Sequence, residues 1–343
     1  MRLRFAGLFG CAATLLACSL SARADSVADF YKGKTITMVV GYTAGGGYDI
    51  YARLVADHMS KHLPGNPTFI VQNMAGAGSL KAANYLYNLA PKDGTYIGTI
   101  GRGLAMEPLV GTSDTQYDAQ KFLWLGSGTD ELSVCALFEN SQVKNWEDAK
   151  SIPFTVAGEG SGSDPDTFAK IMKKLFGLKM KLVSGYPGGA EMTLAIERGE
   201  VDGRCGWSWS SIKSTRPHWV KEKRLRVLTV LSNHRYPELP DVPAVVELAA
   251  NDHDREILRL VFARQTLGRP FLAPPGIPAD RAAALRKAFD NTMKDPAFIA
   301  DAEKRTMEVN PVSGATIDAL LKELYATPKP ILEETKAIIA AGG

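Results

Sequence analysis

The chain is poor in cysteine. Outside its first 24 residues it has no excess of either charge and no apolar run of membrane-spanning length. Of four cysteines, only Cys135 and Cys205 lie beyond residue 24. The formal charge of +3 comes from three arginines within the first 24 residues, so the remainder is balanced. A balanced chain has no electrostatic basis for binding nucleic acid or an anionic membrane surface. After residue 24 no stretch reaches the roughly 20 continuous apolar residues of a membrane span.

The sequence also lacks the motifs of nucleotide, metal and hydrolytic sites. No P-loop is present, and the glycines at 76 and 78 are followed by Lys81 rather than by the third small residue of a dinucleotide fingerprint. His58 and His62 would share a helix face, but no third metal ligand is evident near them. No serine lies in a G-x-S-x-G motif. We therefore predict no catalytic residue, no metal and no cofactor.

The first 24 residues have the organisation of a secretory signal peptide. Arg2 and Arg4 form a basic region, residues 5–20 are apolar, and residues 22–24 (Ala-Arg-Ala) provide a cleavage site. The segment that ends at Cys18 also resembles a lipoprotein signal, which would leave a lipidated cysteine at the mature terminus. Cleavage after residue 24 is favoured, and the chain is expected to be exported.

Export leaves Cys135 and Cys205 as the two cysteines of the mature chain. In an oxidising compartment they can form a disulfide. Nothing in their spacing demands pairing, so two buried free thiols are favoured, and a disulfide between them is the alternative.

Strands alternate with helices in the first part of the mature chain. Strand patterns at 35–40, 68–72 and 95–100 are separated by helical patterns at 50–63 and 79–89. Such a βαβαβ unit predicts a parallel sheet, with ligand loops at the carboxyl ends of the strands.

The same design recurs after residue 152. Strand patterns at 153–157, 180–183 and 201–207 are separated by helical patterns that begin at Pro165 and Ala190. Two such units, each with glycine-rich loops, predict an α/β protein with two lobes that face one cleft.

The expected division places residues 25–126 in lobe 1 and residues 127–231 in lobe 2. Residues 232–343 are expected to return to lobe 1 with the C-terminal helices. The apolar, extended segments 121–138 and 225–231 are predicted to be hinge strands.

Two glycine-rich loops, at 45–49 and 73–79, each follow a strand pattern and precede a helical pattern. Glycine lets backbone N–H groups approach a ligand closely, and a helix N-terminus adds unpaired donors with a partial positive charge. The loops therefore predict a site for a carboxylate or a phosphate.

Two acidic residues near this predicted site have two interpretations each. Asp49 would repel an anion, so it is expected to cap the helix that begins near Ile50 and to orient the loop. Asp202 has the same two interpretations, and direct contact with the ligand is less favoured than a structural role.

Arg102 and Arg204 are candidates to hold a second carboxylate by paired hydrogen bonds, with Arg204 favoured. The alternative for both is a surface or hinge salt bridge. Trp207 and Trp209 alternate with serines, and core packing is favoured for them over stacking on an aromatic ligand.

The stretch from Ile36 to Asp49 resembles the opening of the solute-binding proteins of tripartite tricarboxylate transporters, the Bug (Bordetella uptake gene) family. Residues 72–78, 91–94, 185–202 and 239–243 extend the resemblance over nearly the whole mature chain. It implies a type II periplasmic binding protein, a two-lobed Venus flytrap that captures a small organic acid and delivers it to membrane permease subunits. The protein is expected to be a periplasmic monomer without a nucleic-acid partner.

The resemblance also implies which residues hold the ligand. Backbone donors of the two glycine-rich loops would bind one carboxylate, and residues of lobe 2 would close over it. The predicted ligand-binding residues are Tyr42, Thr43, Gly45, Gly46, Gly47, Tyr48, Asp49, Asn73, Gly76, Ala77, Gly78, Ser79, Arg102, Ser161, Ser163, Tyr186, Gly188, Gly189, Ala190, Asp202 and Arg204.

Two other functions compete with solute binding. An exported α/β enzyme acting on a carboxylate is the main alternative, although no nucleophile and base are paired in the sequence. A ligand-sensing interaction module would need a DNA-binding or signalling segment, and none is recognisable.

Overall fold

The computed structural model describes residues 27–341 and arranges their strands in two sheets. The predicted signal peptide, with Cys18, lies outside the described residues. The six-stranded sheet has the order β11-β4-β10-β3-β1-β2, and the five-stranded sheet has the order β7-β6-β8-β5-β9. The strands are β1 (Thr35–Val40), β2 (Thr68–Asn73), β3 (Tyr96–Thr99), β4 (Leu123–Ser127), β5 (Ser133–Phe138), β6 (Phe154–Ala157), β7 (Met180–Val183), β8 (Gly203–Ser208), β9 (Leu225–Leu231), β10 (Pro270–Ala273) and β11 (Val312–Ser313).

Helices cover the faces of both sheets. Within residues 27–341 no helix is both long and apolar enough to cross a membrane. After a short helical segment at 27–31, the helices are α1 (Gly47–Met59), α2 (Leu80–Asn88), α3 (Glu107–Val110), α4 (Asp148–Ser151), α5 (Asp164–Phe176), α6 (Gly189–Glu197), α7 (Trp209–Thr215), α8 (Pro217–Lys221), α9 (Asp252–Phe262), α10 (Ala279–Met293), α11 (Pro296–Lys304), α12 (Gly314–Tyr325) and α13 (Lys329–Ala341).

Both predicted βαβαβ units are present. In the first sheet β1 pairs in parallel with β2 and β3, and in the second sheet β6 pairs in parallel with β7 and β8. The remaining strands join antiparallel: β10 between β3 and β4, and β5 between β8 and β9. The α/β two-lobed fold is confirmed. Both sheets are mixed, because β10 is antiparallel to β3 in the first sheet and β5 is antiparallel to β8 in the second.

Each sheet is buried between two layers of helices, as expected for a sheet with βαβ crossovers. In the first lobe α1, α10 and α11 pack on one face and α2 and α12 on the other. In the second lobe α5, α9 and α13 pack on one face and α6, α7 and α8 on the other. The helix faces are apolar at helical spacing, so their burial removes most of the large apolar side chains from water.

The second lobe is larger than predicted. Val245, Ile257 and Phe262 lie in the same apolar core as Phe154 of β6, and α13 packs against α5. The boundary at residue 231 is therefore wrong, and the last helix also belongs to the second lobe. The N–H of Val230 donates to the Pro243 carbonyl at 3.0 Å, which keeps the chain on the second sheet after β9.

The chain crosses between the sheets at 128–132 and again just before β10. The two crossings are hydrogen-bonded to each other, with Gly128 N donating to Arg269 O at 3.1 Å and Glu131 N donating to Gln265 O at 3.0 Å. The segment 121–138 crosses as predicted, but it divides into β4 and β5. The segment 225–231 lies wholly within the second sheet as β9, so its assignment as a hinge strand is wrong.

The structure joins Cys135 and Cys205 in a disulfide. The two residues lie opposite each other on the antiparallel strands β5 and β8. The sequence favoured free thiols because a separation of 70 residues does not reveal which strands become neighbours.

Candidate ligand-binding site

A cavity of about 150 Å³ lies between the two lobes, a size that suits a small solute rather than a drug-sized ligand. We call it the interlobe cavity. The first lobe contributes the loop before α1, and the second lobe contributes β8 and the starts of α6 and α7. The lining residues are Tyr42, Gly45, Gly46, Gly47, Tyr48, Glu159, Gly189, Ala190, Thr193, Leu194, Arg204, Trp207, Ser208, Ser211, Thr215, Arg216 and Arg269.

Asp49 holds the loop before α1 in position. Its carboxylate accepts hydrogen bonds from Gly45 N at 2.9 Å, from Asn73 Nδ2 at 2.8 Å and from the Arg53 guanidinium at 2.9 Å. Burial raises the pKa of Asp49, but these hydrogen bonds outweigh burial and leave the pKa below its usual value. Asp49 thus orients the loop as predicted. It does not cap the helix, because the capping position is Gly46 and Asp49 lies in the first turn of α1.

The N-termini of α1 and α6 come together where the lobes meet, and both line the interlobe cavity. Gly46 and Gly188 occupy the capping positions of the two helices, and neither offers a side chain to the first N–H groups. A Cβ on Gly46 would stand 3.5 Å from the backbone nitrogen of Gly189. The first N–H groups of a helix have no intrahelical acceptor, and both helix dipoles direct their positive ends into this space. The arrangement can bind an anion from two sides.

Two buried arginines reach the same cavity. The Nη2 group of Arg204 donates to Glu159 Oε1 at 3.1 Å. Arg269 Nη2 donates to Ser211 Oγ at 2.6 Å and forms an ion pair with Glu131 at 2.9 Å. Within residues 27–341 the Nε groups of both arginines lack a hydrogen-bond partner. Unpaired buried donors are costly, so each guanidinium retains capacity for a further acceptor.

Glu159 places a carboxylate in this otherwise electropositive cavity. The residue is 7% exposed. Burial raises the pKa of Glu159 to about 6, and the neighbouring Arg204 opposes that rise.

Eight of the predicted ligand-binding residues line the interlobe cavity: Tyr42, Gly45, Gly46, Gly47, Tyr48, Gly189, Ala190 and Arg204. Thirteen predicted residues lie outside that lining: Thr43, Asp49, Asn73, Gly76, Ala77, Gly78, Ser79, Arg102, Ser161, Ser163, Tyr186, Gly188 and Asp202. Several of them join the lobes or hold the loops instead. Thr43 Oγ1 donates to Glu191 across the lobes at 2.7 Å, for example.

The second glycine-rich loop packs against the other lobe. A Cβ on Gly78 would stand 2.9 Å from the Ser161 carbonyl oxygen. Ser79 occupies the capping position of α2 but makes no side-chain cap, and its hydroxyl accepts from Gly101 N at 3.2 Å. Ser163 caps α5 and donates to the Asp166 carboxylate at 2.9 Å. The loop 76–79 thus belongs to the contact between the lobes.

Arg102 forms a buried salt bridge between the lobes. Its Nε donates to Asp164 at 2.5 Å, and its Nη2 donates to Ser133 Oγ at 2.7 Å. Burial lowers the pKa of the Arg102 guanidinium, but Asp164, Tyr48 and Glu131 together outweigh burial and raise that pKa above its usual value. This corresponds to the hinge salt bridge that the sequence left as the alternative.

Asp202 lies inside the second lobe. Its carboxylate accepts from the backbone N–H and the hydroxyl of Thr155 at 2.7 and 2.8 Å. It joins β6 to the segment before β8 and does not line the interlobe cavity.

Trp207 is buried in the core of the second lobe, the role that the sequence favoured, and it also lines the interlobe cavity. The strand ends at Ser208, so the alternation that grouped Trp209 with it does not continue. Ser211, Glu159 and Arg269 are lining residues that the sequence did not identify. Glu159 lies within a predicted ligand loop, but Arg269 carries no local signal because it comes from the second crossing.

His58 and His62 each contact one aspartate, Asp301 at 3.3 Å and Asp295 at 2.7 Å. Across the part of the chain that the structure describes, no group of three His, Cys, Asp or Glu residues is arranged to hold a metal ion.

The fold and the interlobe cavity define a two-lobed solute-binding protein. Residues 51–336 match the family model described as TctC, the Tripartite tricarboxylate transporter family receptor. The chain belongs to this family, and the resemblance found in the sequence is confirmed.

Individual relatives agree with this assignment. The UPF0065 protein in the gbd 5' region of Cupriavidus necator is 28% identical over 348 positions that cover 97% of each chain. The structure of periplasmic binding protein BugD superposes with a TM-score of 0.72 at 20% identity, covering 89% of this chain and 98% of BugD. MatC from Rhodopseudomonas palustris with bound malate gives a TM-score of 0.68 at 19% identity, covering 89% and 99%. These structural similarities show the fold.

Proposed function

We propose that this protein is a periplasmic solute-binding protein that captures a small organic carboxylate between its lobes. It would then deliver the carboxylate to the membrane permease subunits of a tripartite transporter. The observation that carries the proposal is the pair of helix N-termini, of α1 and α6, that come together from the two lobes and line the interlobe cavity. The predicted signal peptide and the malate bound to the structural relative MatC support the compartment and the ligand class.

A buried carboxylate needs hydrogen bonds to most of its lone pairs. The first N–H groups of α1 and α6 approach the cavity from opposite lobes, near Gly47 and Gly189. Arg204 and Arg269 add positive charge beside them. A carboxylate in this position would contact both lobes at once, so its binding favours the closed arrangement.

Closure is a second element of the proposal. Thr43 and Glu191 are hydrogen-bonded across the lobes at 2.7 Å, and Arg102 and Asp164 form a buried pair. The chain connects the lobes at 128–132, at 267–269 and at 326–328 between α12 and α13, so the lobes can separate by changes at few residues. The permease would then receive the solute when these contacts open.

A thermal-shift and calorimetry screen tests the proposal. We expect at least one small carboxylate to raise the melting temperature as its concentration increases, because a ligand that binds only the folded state stabilises it by about 2.7 kcal/mol at a hundred times its Kd. The primary amide of each acid serves as the control, since it keeps the shape and loses the charge. No shift with a broad panel of mono-, di- and tricarboxylates, or equal shifts with acids and amides, would overturn the proposal.

A further inference from the structure

A second cavity, of about 180 Å³, lies beside the chain crossings at 128–132 and before β10. We call it the crossing cavity. It is formed by the first crossing, by the chain that follows β9 and α9 in the second lobe, and by one residue of the first lobe. Among residues 27–341 none lines both this cavity and the interlobe cavity, so a molecule bound here would not compete with the solute for the same side chains. The polar residues that line the crossing cavity include Asp130, Glu131, Ser232, Tyr236, Gln265 and Glu308.

The side-chain amide of Gln265 has an unused acceptor in this cavity. The residue is 7% exposed. Its Nε2 group donates to the Leu231 carbonyl at 2.8 Å, which fixes the orientation of the amide. Within the part of the chain that the structure describes, its Oε1 atom has no hydrogen-bond partner. A buried acceptor without a donor is costly, so an occupant that fits this cavity brings a donor.

Around the crossing cavity the described carboxylates outnumber the described cations. Asp130 forms no ion pair among residues 27–341, and its carboxylate accepts one hydrogen bond, from a neighbouring asparagine at 2.7 Å. Glu308 shares Lys213 with Glu238, so these two carboxylates have one lysine between them. The excess of negative charge remains even if His234 of the lining is counted as a cation. The cavity therefore favours a positively charged occupant.

The acceptors suit an ammonium group better than a metal ion. No three His, Cys, Asp or Glu residues of the described chain are arranged to hold a metal. Glu131 already pairs with Arg269 at 2.9 Å. The remaining acceptors come from three separate segments, at Asp130, Gln265 and Glu308. A primary ammonium carries three N–H donors on one atom, whereas the donors of a guanidinium lie in one plane.

We propose that the crossing cavity binds a small primary amine in its protonated form. The ammonium group would donate to Oε1 of Gln265 and lie near the carboxylates of Asp130 and Glu308. The alkyl part would pack on Leu132 and Phe262, the apolar side chains of the lining. Because the lining comes from both lobes, the bound amine would contact both.

Calorimetry with n-butylamine tests the proposal, in salt of about 0.15 M to screen the attraction of distant exposed charges. The comparison compound is n-butyltrimethylammonium, which keeps the charge and the alkyl chain but has no N–H donor. We expect n-butylamine to bind at one site, at least about tenfold more tightly than n-butyltrimethylammonium. Hydrogen bonds that involve a charged group account for a factor of that size.

Two variants locate the site. Gln265→Met removes the unpaired acceptor at similar volume and should lower the affinity for n-butylamine by about tenfold or more. Asp130→Asn removes an exposed charge and should lower it by about two- to fivefold. Asp29→Asn is the matched control, since it removes the same charge at an exposed position outside the cavity, and it should leave the affinity unchanged. If Gln265→Met does not fold, the two aspartate variants and the pair of ammonium compounds decide the question.

Three results would overturn the proposal. Equal affinities for the two ammonium compounds, or equal effects of Asp130→Asn and Asp29→Asn, would indicate unspecific attraction to surface charge. A lack of n-butylamine binding would leave the crossing cavity to water. Each of these results leaves carboxylate capture untouched, because carboxylate capture depends on residues of the interlobe cavity.

Discussion

The two glycine-rich loops of the first lobe share a sequence design and differ in their surroundings. Both follow a parallel strand and precede a helix, at 45–47 before α1 and at 76–79 before α2. The first loop lines the interlobe cavity opposite the start of α6. The second loop packs against residues 160–163 of the second lobe. The element that faces a loop, more than the loop itself, determines whether space for a ligand remains.

The glycines serve different purposes in the two loops. Gly46 has an ordinary φ of −85°, and a Cβ there would make normal contact with Gly189 at 3.5 Å. Its missing side chain leaves room in the cavity. Gly78 has a φ of +60°, and a Cβ would lie 2.9 Å from Ser161 O. Its missing side chain permits the backbone conformation and the close approach of the lobes.

The contact between the lobes is tested most strongly by Arg102→Met. The change leaves Asp164 buried, with Arg264 at 3.6 Å as its remaining ionic neighbour. Removing one partner of a buried ion pair typically costs about 3–5 kcal/mol, so the free energy of unfolding should fall by that amount in urea titrations. Arg286→Met, which breaks a partly exposed pair with Asp318, should cost less than about 1 kcal/mol. Full stability combined with a selective loss of dicarboxylate binding would instead make Arg102 a ligand residue.

The first loop is tested by Gly46→Ala. The methyl group fits the closed protein without strain but occupies space between the two helix N-termini. We expect Kd for a bound carboxylate to rise by about thirtyfold, equivalent to about 2 kcal/mol, with little change in melting temperature. Leu89→Ala is the control, since Leu89 is 75% exposed and lies outside the cavity. Equal affinities in the two variants would remove the first loop from the site.

The second loop is tested by Gly78→Ala. A non-glycine residue with left-handed backbone angles costs about 1–2 kcal/mol, so stability should fall by about that amount. Because the loop touches the other lobe rather than the ligand, all ligands should lose affinity by the same small factor. At a fixed, partly saturating ligand concentration, small-angle scattering should show a larger radius of gyration for Gly78→Ala than for the wild-type protein. A loss of affinity as large as that of Gly46→Ala would place the ligand on the second loop.

Local sequence patterns were sufficient to predict the strands and helices, but they were insufficient to predict which of these elements become neighbours in the fold. Apolar periodicity placed β1, β7 and β9 at their observed bounds, because strand formation there follows from residues close in the chain. Glu159 and Arg269 could not be placed in one cavity, because they meet only after the chain has crossed between the lobes twice. The disulfide between Cys135 and Cys205 could not be predicted for the same reason, since it depends on which strands become neighbours.

The lobe boundary shows the same limit. The amphipathic pattern of α9 predicts a buried face, but either sheet could cover it. The hydrogen bond from Val230 N to Pro243 O keeps the preceding chain on the second sheet, and this long-range contact has no sequence motif.

A crystal structure of the protein with a bound small carboxylate tests the central claim most directly. The account predicts carboxylate oxygens within hydrogen-bond distance of the first N–H groups of both α1 and α6, near Gly47 and Gly189. It also predicts that the loop 76–79 stays in contact with residues 160–163. A carboxylate bound to the loop 76–79, with the interlobe cavity free of ligand, would contradict the account.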